Sequence, residues 1–224
     1  MTGSRADTTP ASAWAWIALA LAMAGASLMV HLAGAGAASR APSPWMQALD
    51  WQPALARAEP WRAWTAVFVH YSDLHLAANL AGSLAVAAWG AVARVPGRSV
   101  IAWLIAWPLV QWGLAMQPEL RHYGGLSGVL HAGVAVVAVH LACSGSCAQR
   151  RIAVAVLAVL VGKLLSETPW AGPLSHPPGW DIAVAPAAHV SGVLAGTIVS
   201  VLLEGGSRTV AAVREALEVV ETHG

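Results

Sequence analysis

Long uncharged stretches alternate with short charged clusters along this chain. No charged side chain falls between Asp7 and Arg40, a gap of 32 residues. Asp73 to Arg94 and Arg98 to Glu119 each leave 20, Arg121 to Arg150 leaves 28, and Asp181 to Glu204 leaves 22. A spanning helix needs about 20 mostly apolar residues, so five stretches have the length. A sixth, 152–166, is shorter and contains Lys163, a side chain that can lay its stem along apolar surface and keep its ammonium in water. The pattern predicts six helices, near 13–34, 72–93, 99–116, 126–143, 152–166 and 186–203, with a leader at 1–12 and a charged tail at 205–224. The first stretch ends in "GAGAAS", which looks like a signal-cleavage region, but its leader "MTGSRADTTPAS" is a poor positive segment. A retained helix is expected.

Composition agrees with a bilayer environment. The chain is 57% hydrophobic and 10% charged, against about 25% charged in soluble domains. Twelve Trp accompany many small residues, which suits close-packed membrane helices with indoles at the water boundary. The fold class expected is an all-α polytopic membrane protein, with the lipid bilayer as a partner. Net charge +1 offers no basic face for nucleic acid, and none is expected as a partner. Cys143 and Cys147 lie four apart without further ligands nearby, so no metal and no cofactor is expected.

Arginines orient the chain. Arg94 and Arg98 bracket the loop after the second span, and Arg150 and Arg151 the loop after the fourth. Both loops then face the cytoplasm, and so do both termini. The outer loop near 33–65 holds Trp45, Trp51, Trp61 and Trp64 with Pro42, Pro44, Pro53 and Pro60. It is expected partly in the outer interface, with indole plugs over the bundle as the alternative.

In this orientation the even-numbered spans begin outside. The second opens "HYSDLHLAANLAG" with His70, His75 and Asn79, the fourth "GGLSGVLHAG" with Ser127 and His131, the sixth "PAAHVSGVLAG" with His189. Each such residue alone is accounted for by a hydrogen bond to a neighbouring helix. Three even helices carrying a serine, a histidine and amide or imidazole donors at one depth point to chemistry. His75 and Asn79, four apart, share a helix face. Ser127, after Gly124-Gly125, falls at a helix start with unpaired N–H groups. Gly192 and Gly196 let the sixth span approach the fourth at Ser127-Gly128. The expected arrangement is a Ser127 nucleophile with His189 as base, and His75, Asn79 and the Ser127 N–H as oxyanion donors. No Asp or Glu lies within the spans to orient His189, so a dyad is expected.

These motifs resemble the rhomboid family of intramembrane serine proteases. "GLSG", Gly125 to Gly128, is similar to the family's Gly-x-Ser-Gly. "AHVSGVLAG", from Ala188, is similar to its Ala-His-x-x-Gly-x-x-x-Gly, and "HYSDLHLAANL", from His70, to its His-x4-His-x3-Asn. "WRAWT", Trp61 to Thr65, resembles the Trp-Arg of the first outer loop. The resemblance implies a six-helix core, catalytic Ser127 and His189, oxyanion His75 and Asn79, and supporting Gly125, Gly128, His131, Gly192, Gly196 and His70. It also implies a single-span membrane protein substrate cut near the outer face, and a bacterial inner-membrane location. Many rhomboids carry a Tyr four residues after the nucleophile, where this chain has His131. "GLSGVLHAG" is similar to the rhombosortase branch, whose implied substrates carry a Gly-Gly C-terminal anchor. A rhomboid-like chaperone without activity is the alternative, although such proteins typically lose Ser or His. A transporter would usually need intramembrane carboxylates or repeats.

Overall fold

The computed structural model describes residues 10–34 and 43–223. The leader up to residue 9, and Arg40 and Pro42 of the outer loop, lie outside the described residues. A long helix, α1 (Pro10–Gly34), comes first, and α2 (Pro44–Leu49) and α3 (Arg62–Thr65) are short helices of the outer loop. Then follow α4 (Asp73–Val92), α5 (Gly97–Gly113), α6 (Ser127–Ser144), α7 (Cys147–Ser166) and α8 (Pro186–His223). No strand occurs among the described residues, and Trp51–Tyr123 and Ser175–Val184 form isolated antiparallel bridges. The helix starts follow local chemistry. Ser72 caps α4 by accepting from the His75 N–H at 3.1 Å, and Ser146 with Gln149 forms a capping box on α7.

Five of these helices are long and apolar enough to cross a membrane, and the chain is a multi-pass membrane protein. α7 matches α4 in length at 20 residues, but Arg150, Arg151 and Lys163 shorten its apolar stretch. It starts at Cys147, five residues before the expected boundary, because the capping box nucleates it there. α8 also departs from expectation. It runs unbroken for 38 residues instead of ending near 203 before a separate tail. Gly205-Gly206 does not break it, since glycine weakens a helix by only about 1 kcal/mol.

α6 is the central helix, with 67% of its span buried against 17% for α1. α1 nevertheless contributes to the core. Trp16 is fully buried, stacks on Trp103 with ring centroids 4.3 Å apart, and donates to the Val86 carbonyl at 3.0 Å. Trp103 in turn donates to the Val129 carbonyl of α6 at 2.8 Å. At the far end, buried Glu204 of α8 meets Arg98 of α5 at 3.0 Å and His140 of α6 at 3.2 Å. Removing charge from water is expensive unless it is paired, so this cluster registers three helices against one another.

The outer loop is a folded platform. Arg62 donates to the Gln47 and Asp50 carbonyls at 2.6 and 2.9 Å and pairs with Glu59. Fully buried Asp50 also accepts from Tyr71 at 3.0 Å and His122 at 2.8 Å. The indoles divide between the two expected roles. Trp51 is fully buried, whereas Trp61 and Trp64 are 52% and 46% exposed.

α6 and α8 form the most extensive helix pair, and glycine sets their separation. A Cβ on Gly192 would overlap the Gly128 carbonyl, and one on Gly196 the Ala132 backbone. Gly162 of α7 faces open space. Gly192→Ala should therefore destabilise the protein by about 1–3 kcal/mol through overpacking, despite its better helix propensity. Gly162→Ala should be neutral or slightly stabilising. Thermal unfolding of the two variants in detergent checks this, and equal midpoints would contradict the close approach.

Candidate active site

The N-terminal ends of α4, α6 and α8 converge below the platform. Ser127 is the first residue of α6, partly buried, and His189 is buried on the first turn of α8. Ser127 Oγ lies 3.0 Å from His189 Nε2. His131, one turn further along α6, stacks on His189 with centroids 4.2 Å apart and planes 15° from parallel. Its Nδ1 donates to the Ser127 carbonyl at 2.6 Å, which fixes the ring by an i,i+4 contact.

The segment ahead of Ser127 is held from two sides. Trp51 and Tyr123 exchange backbone hydrogen bonds of 2.7 and 2.9 Å, and the Gly125 N–H donates to the Ala66 carbonyl at 3.0 Å. Gly125 has φ +122°, a conformation that side chains with a Cβ rarely adopt. A Cβ there would also lie 2.6 Å from the His75 ring and 3.7 Å from Asn79 Nδ2. His75 and Asn79 of α4 thus both crowd the backbone two residues before Ser127. Both are buried, and His75 Nδ1 and Asn79 Nδ2 have no hydrogen-bond partner. Buried polar atoms are rarely left unpaired, so these two atoms stand out among the described residues of the site. His70, fully buried beside α4, packs its ring 4.7 Å from that of His75. Gly128 faces Val110 and the Ala188 carbonyl, with no room for a Cβ. Among the described residues, no three His, Cys, Asp or Glu side chains are grouped to hold a metal ion.

One contact goes beyond the expected Ser127–His189 pair. A carboxylate does reach His189, because Glu167 Oε2 lies 2.7 Å from its Nδ1. Glu167 is the residue after α7, outside the uncharged stretches, and its N–H on the Lys163 carbonyl continues that helix. The other oxygen, Oε1, pairs with Lys163, whose Nζ lies 3.5 Å from His189 Nδ1. The signal in the sequence was this Lys163–Glu167 spacing of four at the outer end of the fifth span. Burial alone would raise the Glu167 carboxyl, but hydrogen bonds from His189 and Lys163 outweigh it and hold it near about 2. Its folded value lies below the ordinary 4.5, so the ionised group stabilises the fold above that pH, and the effect fades as pH falls toward 2.

A family model described as Rhomboid domain matches residues 57–205. The chain belongs to the rhomboid family. A search of curated proteins gives no significant match. The rhomboid family is one of intramembrane serine proteases, with some inactive members, acting on membrane proteins within the bilayer. The matched region of this rhomboid spans α3 to the bend-free middle of α8 and includes every side chain at the Ser127–His189 contact.

The Gly125 geometry leads to a prediction for this rhomboid. Gly125→Ala should destabilise it by roughly 1–3 kcal/mol, because backbone strain adds to the clash with His75. The drop in thermal midpoint should shrink when His75 is shortened to alanine in the same chain. A melt that shows no such coupling would exclude the contact as the cause.

Proposed function

We propose that this rhomboid is an active intramembrane serine endopeptidase with Ser127 as nucleophile and His189 as base. The observation that carries the reading is the 3.0 Å contact between Ser127 Oγ and His189 Nε2. Oγ attacks the scissile carbonyl carbon while Nε2 takes its proton. The same proton then passes to the leaving amine as the C–N bond breaks, leaving an acyl-enzyme on Ser127. Water, deprotonated by His189, hydrolyses that ester and regenerates the serine. Negative charge on the carbonyl oxygen falls to the Asn79 amide, the His75 ring and the N–H groups at the start of α6. The unpaired Asn79 Nδ2 and the edge of the His75 ring that carries Nε2, turned toward Gly125, support those two roles.

The substrate class follows from depth and from the family. A helix in lipid has its backbone hydrogen bonds satisfied, so the scissile segment must unwind before Ser127 can reach a carbonyl. Glycine eases unwinding by about 1 kcal/mol relative to alanine. The "GLSGVLHAG" string favours the rhombosortase-like branch, with a single-span substrate whose anchor begins at a Gly-Gly pair and ends in basic residues. The stacking of His131 beneath His189, where many rhomboids use Tyr, supports a distinct branch. Arginines in the loops at 94–98 and 150–151 favour a bacterial inner-membrane orientation with both termini cytoplasmic.

Ser127→Ala and His189→Ala should each abolish cleavage of a Gly-Gly-anchored reporter while leaving the thermal midpoint near that of the parent. Asn79→Ala should slow cleavage by on the order of 10²- to 10³-fold, the usual loss for one oxyanion donor. A Leu-Leu reporter processed as well as the Gly-Gly one would exclude the branch but not the protease. Unchanged cleavage by Ser127→Ala would exclude the nucleophile. Failure of the parent protein to react with a fluorophosphonate would favour the inactive, chaperone-like reading.

A further inference from the structure

We infer that Glu167 is the positioning residue of a Ser127–His189–Glu167 triad, its Oε2 accepting the Nδ1–H of His189 so that Nε2 faces Ser127 as the acceptor. The inference deepens the serine-protease reading and rests on it. The geometry is continuous: 3.0 Å from Oγ to Nε2 and 2.7 Å from Nδ1 to Oε2. A carboxylate oxygen can only accept, so the ring proton at this contact sits on Nδ1. A neutral imidazole then has its lone pair on Nε2, the tautomer a base for Ser127 must have.

Three further features set Glu167 apart from a solvated helix-end residue. Its two oxygens are divided, Oε1 to Lys163 and Oε2 to His189, which fixes the carboxylate plane. Its side chain is 21% exposed and that of His189 only 7%, so the contact is sheltered from water. The following Thr168 has φ +47°, an outlier for a β-branched residue. Glu167 itself continues α7, its N–H on the Lys163 carbonyl at 3.1 Å, and the turn ends the helix directly after it, with Thr168 N–H on the Leu165 carbonyl at 3.2 Å. A lone Lys–Glu pair at a helix end contributes too little to offset such strain.

The charge balance completes the argument. When His189 takes the proton of Ser127 it becomes an imidazolium, stacked on the ring of His131 and 3.5 Å from the Lys163 ammonium. In this sheltered place the cation needs a counter-charge, and Glu167 is the anion in contact with it. The carboxylate keeps its charge throughout, and the proton travels between Oγ, Nε2 and the leaving amine.

The test uses the purified full-length protein and a fluorophosphonate probe, with labelling of Ser127 resolved into the maximal rate kinact and the half-saturating concentration KI. Glu167→Gln should lower kinact by on the order of 10²- to 10⁴-fold with KI nearly unchanged, the upper end being the usual loss of the orienting carboxylate in serine proteases. Glu167→Asp should recover a substantial part of that rate, and both variants should melt close to the parent. A Glu167→Gln kinact within about threefold of the parent would overturn the triad while Ser127 and His189 stand. Equal losses in Gln and Asp variants that track a lowered midpoint would overturn it too, since they mark a structural role. If the parent is not labelled, or if Ser127→Ala is labelled equally fast, the serine-protease reading falls and the triad with it.

Discussion

The separation of α6 and α8 governs the rest of the site. Lipid offers little hydrophobic drive to bring two apolar helices together, so their association rests on close van der Waals packing. Gly192 and Gly196 permit that packing by putting backbone against Gly128 and Ala132. A side-chain hydrogen bond of 3.0 Å between Ser127 and His189 tolerates an error of a few tenths of an ångström. A methyl group between the helices would exceed that tolerance. The small residues around Ser127 and His189 are therefore packing residues first, and the geometry of the two polar side chains follows from the packing.

A second constraint comes from outside the bundle. The start of α6 is fixed by the outer loop, through the Trp51–Tyr123 bridge and the Gly125–Ala66 hydrogen bond. That loop is itself organised by buried ionic contacts of Arg62 and Asp50. Breaking a buried ion pair leaves an uncompensated charge, so the loop is rigid where it grips the segment before Ser127. Packing sets the lateral distance between helices, and the loop sets the rotation and height of the first turn of α6.

Much of this was legible in the sequence because a bilayer enforces simple rules. Charge gaps located the long helices, and parity put His75, Asn79, Ser127 and His189 at comparable depth. The Gly-x-x-x-Gly of Gly192 and Gly196 marked the close face. What escaped was decided by turns and ends. Glu167 was passed over because a carboxylate just beyond a span reads as solvated, and no periodicity announces that the turn at Thr168 ends the helix directly after it. The unbroken course of α8 past Glu204 was missed because the charge gap that defined the sixth span ends there. Glu204 lies at the edge of an uncharged stretch, yet it is buried by partners from α5 and α6 that are 106 and 64 residues distant. Long-range pairing of that kind leaves no local pattern.

The position of Glu167 also bears on how a buried histidine in a membrane protein is given a counter-charge. A carboxylate inside the span would be costly to bury and would compete for water with the substrate. Placed one residue beyond α7, Glu167 reaches His189 from the aqueous edge, and Lys163 can hold its second oxygen while keeping 43% of its own side chain exposed. The apolar interior then carries no permanent charge near Ser127, and the ionic partner sits where its desolvation is cheapest. The same placement makes the contact dependent on the C-terminal end of α7, to which Glu167 is joined by its N–H on the Lys163 carbonyl. α7 packs far less closely on α8 than α5 and α6 do, so motion of its end would loosen His189 without disturbing the glycine contacts between α6 and α8. The His189–Glu167 contact and the Ser127–His189 contact are thus held separately in this fold, one by the end of α7 and the other by the packing of α6 on α8.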